Sequence, residues 1–259
     1  MSPSTQDQFA ALDILAIAAH RDDVEQTCGG TLLKMAQKGQ RTGILDLTQG
    51  EMGTRGSADD RAREAAEAAR LLQVSWREAL TIPDARVENT YANRLRIAQV
   101  IRQTRPRVVI LPYWKGRHPD HYTCSILGYE ACFLAGLKKV DIPRNLAKEG
   151  VQLPEENLSP HRPFKILYAT LYYDVRPTFV VDISDQFERR LAALMAYKTQ
   201  FADQEEGRDL FPAHEEIRDR IHSMARFYGL PAGVKYAEPF LQKEVGLVED
   251  LLSIPVQSI

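Results

Sequence analysis

The sequence predicts an α/β fold, a Rossmann-like and mostly parallel sheet with helices on both faces. Short apolar runs of strand length alternate with longer segments of helical periodicity through residue 135. Turn-forming Gly, Pro, Asn and Asp residues separate the two kinds of element. Two of the apolar runs are followed by His and Asp residues, immediately after the first run and after a short loop in the second, and ligands of open α/β sheets bind where the strands end. Together these observations favour a doubly wound sheet with a functional site at its carboxyl edge.

The chain has 259 residues, 44% of them hydrophobic, and is long enough to bury one sizeable core. We therefore expect a single domain over residues 1–259. The formal net charge is −2 and the basic residues are dispersed, so the composition indicates neither nucleic acid nor an anionic membrane as a partner. No apolar run in the sequence approaches the roughly 20 residues that span a bilayer.

The N-terminal residues and the cysteines predict a cellular compartment. Residues 1–8 are polar and lack the basic and apolar regions of a secretion signal. The three cysteines, Cys28, Cys124 and Cys132, form no C-x-x-C pair, a pattern typical of reduced thiols that are buried as small hydrophobic side chains. We therefore expect a cytoplasmic protein.

The first elements predict a βαβ unit. The apolar run at residues 14–18 predicts a buried strand, residues 27–38 carry apolar side chains at helical spacing, and residues 42–48 predict a second strand. Such a crossover is almost always right-handed. The glycine-rich residues 49–56 then form a loop at the carboxyl edge of the sheet, which places Arg55 near that edge.

The middle of the chain continues the alternation of helices and strands. Ser57 and Asp60 approximate a capping box at the start of an Ala-rich helix. The predicted elements are this helix to residue 72, a short third strand at 79–83, a helix at 93–104 that Pro106 stops, a fourth strand at 108–112 and a helix at 122–134.

The second half opens with a segment rich in Pro, Asn, Glu and Lys at residues 138–163. We expect it to run over the surface, and it could serve as a lid or as a subunit contact. The elements predicted after it are strands at 164–171 and 179–183, helices at 184–201 and 212–228, and a closing edge strand at 236–240.

A first cluster of His and Asp follows the first strand. His20 and Asp23 are three residues apart, so in a tight turn or a first helical turn both side chains project the same way and can hold one cation. The alternative is that Asp22 and Asp23 cap the helix predicted near Thr27, which is a common role for Asp after a strand. That alternative leaves His20 unexplained.

A second cluster, His118-Pro119-Asp120-His121, follows the fourth strand. Taken alone, its two imidazoles could be ordinary surface residues of a turn that Pro119 shapes. The two clusters together are more specific than either, because two strand ends that both carry His and Asp can face one ion.

The two motifs, AHRDDVE and HPDH, resemble the signatures of the LmbE/PIG-L-type zinc-dependent N-deacetylases. The segments PYWKGRHPDH, FVVDISDQFERRLAALMAYKTQF and GVKYAEPF are most similar to the deacetylases of bacillithiol biosynthesis, so the resemblance runs from about Leu12 to about Phe240. The resemblance implies the LmbE-like fold. The main departure is Arg21, where many members of the family have Pro.

The resemblance implies that His20, Asp23 and His121 bind Zn²⁺ and that Asp22 is the general base. The chemistry agrees, since three protein ligands leave zinc an open position for a water whose pKa falls to roughly 7, and a carboxylate beside it can take the proton. A site of two His and one carboxylate also accepts Fe²⁺.

The resemblance further implies that His118 is the acid or the oxyanion stabiliser and that Asp120 orients a histidine. An imidazole has an unperturbed pKa of about 6.5, so His118 needs a neighbouring carboxylate to stay charged at neutral pH. Asp120 is the candidate for that carboxylate.

Arg55 and Arg117 are candidates for substrate binding. Each is either a solvated loop arginine or a bidentate fork for an anionic group. The substrate of the bacillithiol pathway, N-acetylglucosaminyl malate, carries two carboxylates that such arginines can hold. Tyr113 and Trp114 either stack on a sugar or, as we expect, pack beneath the loop. His161 is expected at the surface, although a histidine of this segment or of a neighbouring subunit could reach the site.

The predicted function is the zinc-dependent hydrolytic N-deacetylation of an N-acetylglucosamine conjugate, namely N-acetylglucosaminyl malate. One alternative is another amino-sugar conjugate, of mycothiol type or like a chitooligosaccharide. A second alternative is a non-catalytic metal-binding protein on the same fold. The resemblance also implies a homo-oligomer, a trimer or a hexamer.

Overall fold

The computed structural model describes residues 11–151, 156–170, 173–201 and 213–256, and these ranges form an α/β structure around one sheet of seven strands. The strands are β1 Ile14–Ala18, β2 Thr42–Asp46, β3 Trp76–Ala79, β4 Val108–Pro112, β5 Lys165–Ala169, β6 Phe179–Asp182 and β7 Ala237–Leu241. Their order across the sheet is β3-β2-β1-β4-β5-β7-β6. The strands from β3 to β5 in this order are parallel, and β7 runs antiparallel to both of its neighbours.

Helices cover both faces of the sheet, as the sequence predicts. They are α1 Asp23–Thr27, α2 Gly29–Gln37, α3 Ala58–Leu71, α4 Tyr91–Thr104, α5 Pro119–Ala135, α6 Ile142–Lys148, α7 Phe187–Leu194, α8 Lys198–Phe201 and α9 His214–Gly229. None of the helices in the described ranges is both long enough and apolar enough to cross a membrane.

The alternation of side chains along the strands builds a core on each face. Leu15 and Ile17 of β1 pack with residues of α4, α5 and α6 on one face. Ala16 and Ala18 pack on the other face with residues of α1 and α2, including Val24. The small side chains of β1 on this second face allow α1 to lie close to the sheet.

The topology places the two polar clusters side by side. β1 pairs in parallel with β4, with Ile14 opposite Val108 and Ala16 opposite Ile110. The residues that follow each strand therefore meet at the same edge. β2 and β3 lie on one side of β1 in the sheet, and β4 and β5 lie on the other side. The strand order therefore reverses between β1 and β4, and the two clusters lie at this topological switch point.

The prediction of the third strand at 79–83 is wrong, because β3 is Trp76–Ala79 and pairs with β2 from Gly43 to Asp46. The sequence of β3, WREA, is too polar to be recognised as a strand. Its Arg77 is nevertheless paired with Asp46 through an Nε–Oδ2 distance of 2.9 Å, so charges that a sequence pattern assigns to solvent are satisfied inside the protein.

The prediction that residues 236–240 form an edge strand is also wrong. β7 is an interior strand between β5 and β6, and Phe240 pairs with both Ala169 and Phe179. Only tertiary pairing decides this position, because β6 precedes β7 in the chain but lies outside it in the sheet.

The segment at 138–163 contains an unpredicted helix, α6. Ile142 and Leu146 are fully buried in the main core, so this part of the segment is packed structure. Residues 152–155 lie outside the described ranges. A role as a subunit contact stays a prediction.

Several predicted boundaries shift. The helix at 27–38 is divided into α1 and α2 at Cys28, and the helix at 184–201 is divided into α7 and α8. The capping box is present, since the Ser57 hydroxyl accepts from Asp60 N at 3.1 Å and Asp60 Oδ2 accepts from Ser57 N at 2.9 Å. Residues 171 and 212, at two of the predicted boundaries, are not among the described residues.

Candidate active site

Three potential ligand atoms from the two predicted clusters converge at the switch point. His121 Nε2 lies 3.1 Å from His20 Nδ1 and 3.1 Å from Asp23 Oδ1, and His20 Nδ1 lies 3.5 Å from Asp23 Oδ2. A tetrahedral ion with bonds of about 2.0–2.1 Å separates its ligand atoms by about 3.3 Å. The spacing of the two ring nitrogens and the two Asp23 oxygens therefore fits one small cation, and two His with one carboxylate is a donor set for a transition metal.

Local structure explains why these side chains converge. His20 lies in the turn after β1, and Asp23 opens α1 and accepts a hydrogen bond from His20 N through Oδ2 at 2.9 Å. His121 lies in the first turn of α5, which Pro119 opens. Asp22 holds the N-cap position of α1 but makes no side-chain capping bond, which argues against the capping interpretation.

The electrostatics of the cluster also favour a bound cation. Burial opposes a charge on His20, but the carboxylates of Asp23, Asp120 and Asp84 outweigh burial and raise its pKa to about 12. Burial likewise opposes a charge on His121, and Asp23 raises its pKa. In turn His121 and His20 hold the pKa of the buried Asp23 carboxyl well below its usual range. The surroundings of these three side chains therefore favour positive charge at the position that a divalent cation would take.

Two carboxylates hold the far side of the His20 ring. His20 Nε2 lies 3.1 Å from Asp84 Oδ1 and 3.4 Å from Asp120 Oδ2. Such carboxylates fix the tautomer and the orientation of a ligating imidazole, and they leave Nδ1 directed at the metal position. Sequence reasoning missed Asp84, whose only signal is its place two residues after the buried Ile82, in the loop that follows β3.

His118 is not the charged imidazole that the sequence analysis expects. The Asp120 carboxylate faces His20, and its Oδ1 accepts from Val87 N at 3.2 Å. Burial lowers the pKa of His118, and the charges of His20 and His121 lower it further. His118 Nδ1 accepts from Asp120 N at 3.2 Å, so a neutral His118 carries its proton on Nε2.

A polar cleft of about 560 Å³ opens beside the ligand cluster. Its lining residues are His20, Asp22, Asp23, Gln26, Arg61, Arg117, His118, Pro119, His121 and Gln200. The volume is typical of sites for small molecules.

Arg61 of α3 reaches this cleft and pairs with Asp22 through an Nη2–Oδ1 distance of 3.2 Å. A glycine-rich loop wraps its guanidinium. Gly50 has φ +72°, and a Cβ there would lie 2.8 Å from Arg61 Cζ, so the loop requires glycine at this position. Sequence reasoning missed Arg61, because nothing in the Ala-rich helix distinguishes it from a surface arginine.

Comparisons with known proteins agree with this geometry. The family model described as PIG-L, GlcNAc-PI de-N-acetylase, matches residues 15–132. The diacetylchitobiose deacetylase of Thermococcus kodakarensis is 32% identical over 236 residues, which cover 87% of this chain and 80% of the relative. The chain belongs to the PIG-L family. It is accordingly an N-deacetylase, an amidohydrolase, and the predictions of family and enzyme class are confirmed.

This PIG-L family member is also similar to a second deacetylase and to a protein of known structure. The 1D-myo-inositol 2-acetamido-2-deoxy-alpha-D-glucopyranoside deacetylase 1 of Saccharopolyspora erythraea is 26% identical over 247 residues, covering 72% of this chain and 77% of the relative. The crystal structure of the conserved protein TT1542 from Thermus thermophilus superposes with a TM-score of 0.77 at 36% identity, covering 92% of this chain and 98% of that one. The LmbE-like fold is thereby confirmed.

The structure separates the two arginines predicted to bind substrate. Arg117 lines the polar cleft. Arg55 is buried with 4% of its surface exposed and is not among the lining residues, while its backbone oxygen accepts from Gln200 Nε2 at 2.9 Å. Substrate binding by either residue stays a prediction, and the geometry favours Arg117.

The remaining candidates have structural contacts. Arg21 is buried and donates from Nη1 to Ala58 O at 2.7 Å. The side chain that departs from the family pattern therefore contacts the start of α3. His161 Nε2 lies 2.7 Å from Pro106 O. Tyr113 and Trp114 pack against each other with ring centroids 4.5 Å apart and against the main core, as expected.

A buried ion network supports the loop that carries Asp22 and Asp23. Arg77 binds Glu25 Oε1 through Nη1 at 2.7 Å, and its Nη2 donates to Arg21 O at 2.5 Å. Burial raises the pKa of Glu25 to about 7, and the nearby Arg77 opposes this rise. The network holds the backbone at residue 21, so it fixes the position of the backbone from which the side chains of Asp22 and Asp23 project.

Proposed function

We propose that this N-deacetylase removes the acetyl group from an N-acetylglucosamine conjugate, namely N-acetylglucosaminyl malate, and that Zn²⁺ is its metal. The observation that carries the proposal is the convergence of three ligand atoms, 3.1–3.5 Å apart, beside Asp22 in a cleft of small-molecule size. Two relatives named for acetylated amino sugars support the substrate class.

His20, Asp23 and His121 hold the metal in this proposal. A bound Zn²⁺ supplies Lewis acidity and lowers the pKa of a water to roughly 7. Asp84 and Asp120 keep the His20 ring oriented through Nε2, which leaves Nδ1 for the ion.

Asp22 is the general base. It lines the polar cleft beside Asp23, and Arg61 holds its Oδ1 at 3.2 Å, so the carboxylate is fixed in one orientation. Asp22 takes a proton from the attacking water as the new C–O bond forms. It then delivers that proton to the amide nitrogen as the C–N bond breaks, which releases acetate and a free amine.

His118 stabilises the developing oxyanion as a neutral donor. The backbone bond to Nδ1 leaves a proton on Nε2, and the side chain lines the cleft. A neutral imidazole can polarise a carbonyl by donating a hydrogen bond. This is the second of the two roles that the resemblance implies for His118, here without a positive charge on the ring.

The anionic malate distinguishes this substrate from neutral amino sugars. Arg117 is exposed at the cleft and directly precedes His118, so its guanidinium is placed to bind a carboxylate in a bidentate manner. A second candidate substrate is a chitooligosaccharide such as diacetylchitobiose, which is favoured by the 32% identity to an enzyme named for it.

The mechanism is tested by two substitutions and one control. Asp22→Asn is expected to retain stoichiometric zinc but to lower kcat at least 10²-fold, because it removes the base and leaves the ligands in place. His121→Ala is expected to lose both zinc and turnover. Asp59→Asn, an exposed change on α3, is the control and is expected to alter neither. Full activity of Asp22→Asn would exclude the assigned base.

A further inference from the structure

A second, smaller cavity lies beside the metal-ligand cluster. It is lined by residues from the ends of β1, β4 and β5, from α1 and from the loop after β4, among them Ala18, Val24, Ile110, Ala169 and Lys115. Asp23 and His121 line both this inner cavity and the polar cleft, so the two spaces adjoin at the ligand cluster. Its volume is about 30 Å³.

The walls of the inner cavity are mainly apolar. Ala18, Val24, Ile110 and Ala169 are buried members of one hydrophobic cluster, together with Cys28. Burial raises the pKa of the Cys28 thiol, which therefore stays neutral. The Thr27 hydroxyl, also in the wall, donates to Asp23 O at 2.8 Å, so its proton is already used within α1. Such a surface favours a small apolar group over water.

The volume limits what can enter. A water-sized probe occupies about 10–15 Å³ on this measure, so the inner cavity accepts one or two groups of methyl size and no long chain. The side chains that set this limit are small where they meet the cavity, since β1 and β5 present alanines at positions 18 and 169. An added methyl group at either position fills space that is now empty.

We propose that the inner cavity receives the methyl group of the acyl substrate and restricts the enzyme to acetyl groups, with Ile110, Val24 and Ala169 as specificity-determining residues. The inference rests on the proposed function. The reacting carbon must lie between Asp22 and the metal ligands, and the amine side carries a bulky sugar that only the polar cleft can hold. The acyl group projects away from the sugar, toward the part of the inner cavity that Asp23 and His121 line.

The proposal is tested with formyl, acetyl, propionyl and butyryl amides of one amino-sugar conjugate. For the wild type we expect the highest kcat/KM with acetyl and a roughly 10-fold to 200-fold loss with propionyl, the discrimination that one methylene supplies in an apolar pocket. An enzyme that cleaves butyryl as fast as acetyl amides would overturn the inference.

Substitutions that change the volume are expected to move this preference in opposite directions. Val24→Ala and Ile110→Val enlarge the cavity, and we expect the propionyl/acetyl ratio of kcat/KM to rise at least 5-fold. Ala169→Val fills it, and we expect the acetyl rate to fall at least 10-fold while the formyl rate is retained. Ile44→Val is the matched control, because Ile44 belongs to the same cluster but does not line the cavity. Unchanged acyl ratios in all three cavity variants would contradict the proposal.

A readout without turnover separates this inference from the proposed function. Acetate, propionate and butyrate are titrated against the zinc-loaded protein, and protection from thermal unfolding is recorded. Acetate is expected to protect the wild type best, and propionate to protect Ile110→Val better than it protects the wild type. If these shifts are found while no N-acetylglucosamine conjugate is cleaved, only the substrate assignment fails. If conjugates are cleaved and neither the acyl ratios nor the carboxylate preference changes, only the inner-cavity assignment fails.

Discussion

At the scale of single residues, the proposed metal site brings buried imidazoles and carboxylates together. His20 is in contact with three carboxylates, Asp23, Asp84 and Asp120, and they raise the pKa of its ring to about 12 although burial opposes the charge. The family resemblance of the two motifs implied His20, Asp23 and His121 as ligands, and the structure brings these three side chains together. Asp84 could not be predicted, because its partner is 64 residues away in the chain and its neighbours form no motif.

The first prediction concerns the dependence of metal binding on pH. The pKa of His20 is raised to about 12, so the metal-free protein holds a proton on this ring at pH 7, and Asp23 also raises the pKa of His121, which binds its proton more tightly than a free imidazole does. Metal must displace these protons, so its affinity rises with pH across the neutral range. Calorimetric titration in two buffers with different protonation enthalpies is expected to show release of at least one proton per metal. Binding without proton release between pH 6 and pH 8 would contradict this charge balance.

The same raised pKa values predict how the stability of the metal-free protein depends on pH. A folded-state pKa above the unfolded value contributes stability that is fully present below the unfolded pKa of about 6.5 and is lost as pH rises through the folded pKa. The metal-free protein is therefore expected to lose stability as pH rises above about 6.5. Urea unfolding of the metal-free protein at pH 6 and pH 9 measures this, and a higher stability at pH 9 would exclude the charged form of His20.

The second prediction concerns Asp84. Asp84→Asn weakens the hold on His20 Nε2 but leaves every proposed ligand in place, so zinc affinity is expected to fall about 10-fold to 100-fold. Competition with a chromophoric chelator measures the change. Asp59→Asn on the exposed face of α3 should match the wild type. An unaltered zinc affinity in Asp84→Asn would remove Asp84 from the support of the site.

At the scale of elements, buried arginines fix the positions of a strand and of a connecting segment that hydrophobic periodicity does not predict. α4 was predicted from its apolar side chains, but its fully buried Arg102 donates to the backbone oxygens of Ala135, Leu137, Val140 and Leu158. This one side chain fixes much of the segment that was expected to be a surface excursion. The strand β3 was misplaced for the same reason, since its Arg77 is satisfied by Asp46 and Glu25 rather than by water.

The third prediction tests the anchoring by α4. Arg102→Met leaves several buried carbonyl oxygens without a donor, so the free energy of unfolding is expected to fall by about 2–4 kcal/mol. Hydrogen exchange is expected to accelerate in α6, which this segment carries. Arg94→Met on the same helix removes a partly exposed pair with Glu130 and an exposed hydrogen bond to Thr90 O, and is expected to cost less than about 1 kcal/mol. Equal effects of the two substitutions would show that Arg102 is not an anchor.

At the scale of the whole molecule, the mostly parallel, doubly wound sheet was predicted correctly, although the third strand was predicted at 79–83 and lies at Trp76–Ala79. The position of β7 was not predicted, since strand insertion depends on pairing across distant parts of the chain. The oligomer also stays a prediction. α5 exposes an apolar stripe of Tyr122, Ile126, Tyr129 and Phe133, and the C-terminal residues after β7 expose Val245, Leu247, Leu251 and Leu252. Surfaces of this kind mark protein interfaces.

The fourth prediction is that these surfaces mediate self-association. Light scattering is expected to give a mass of three or six chains for the wild type and a lower mass for the double variant Leu251→Glu, Leu252→Glu. Phe227→Glu changes an exposed aromatic side chain on α9 that belongs to neither surface, and it is expected to keep the wild-type mass. A monomeric wild type would contradict the predicted oligomer.

The central claim is that a zinc site built from His20, Asp23 and His121 removes acetyl groups from an anionic amino-sugar conjugate. Its most direct test is the release of free amine by the zinc-loaded protein from N-acetylglucosaminyl malate, diacetylchitobiose and N-acetylglucosamine, each beside a chelator-treated control. The account predicts metal-dependent turnover that is fastest with the malate conjugate, and a rise in KM for that substrate alone in Arg117→Gln. Metal-independent turnover would contradict the proposed site, and faster turnover of diacetylchitobiose would contradict the assigned substrate.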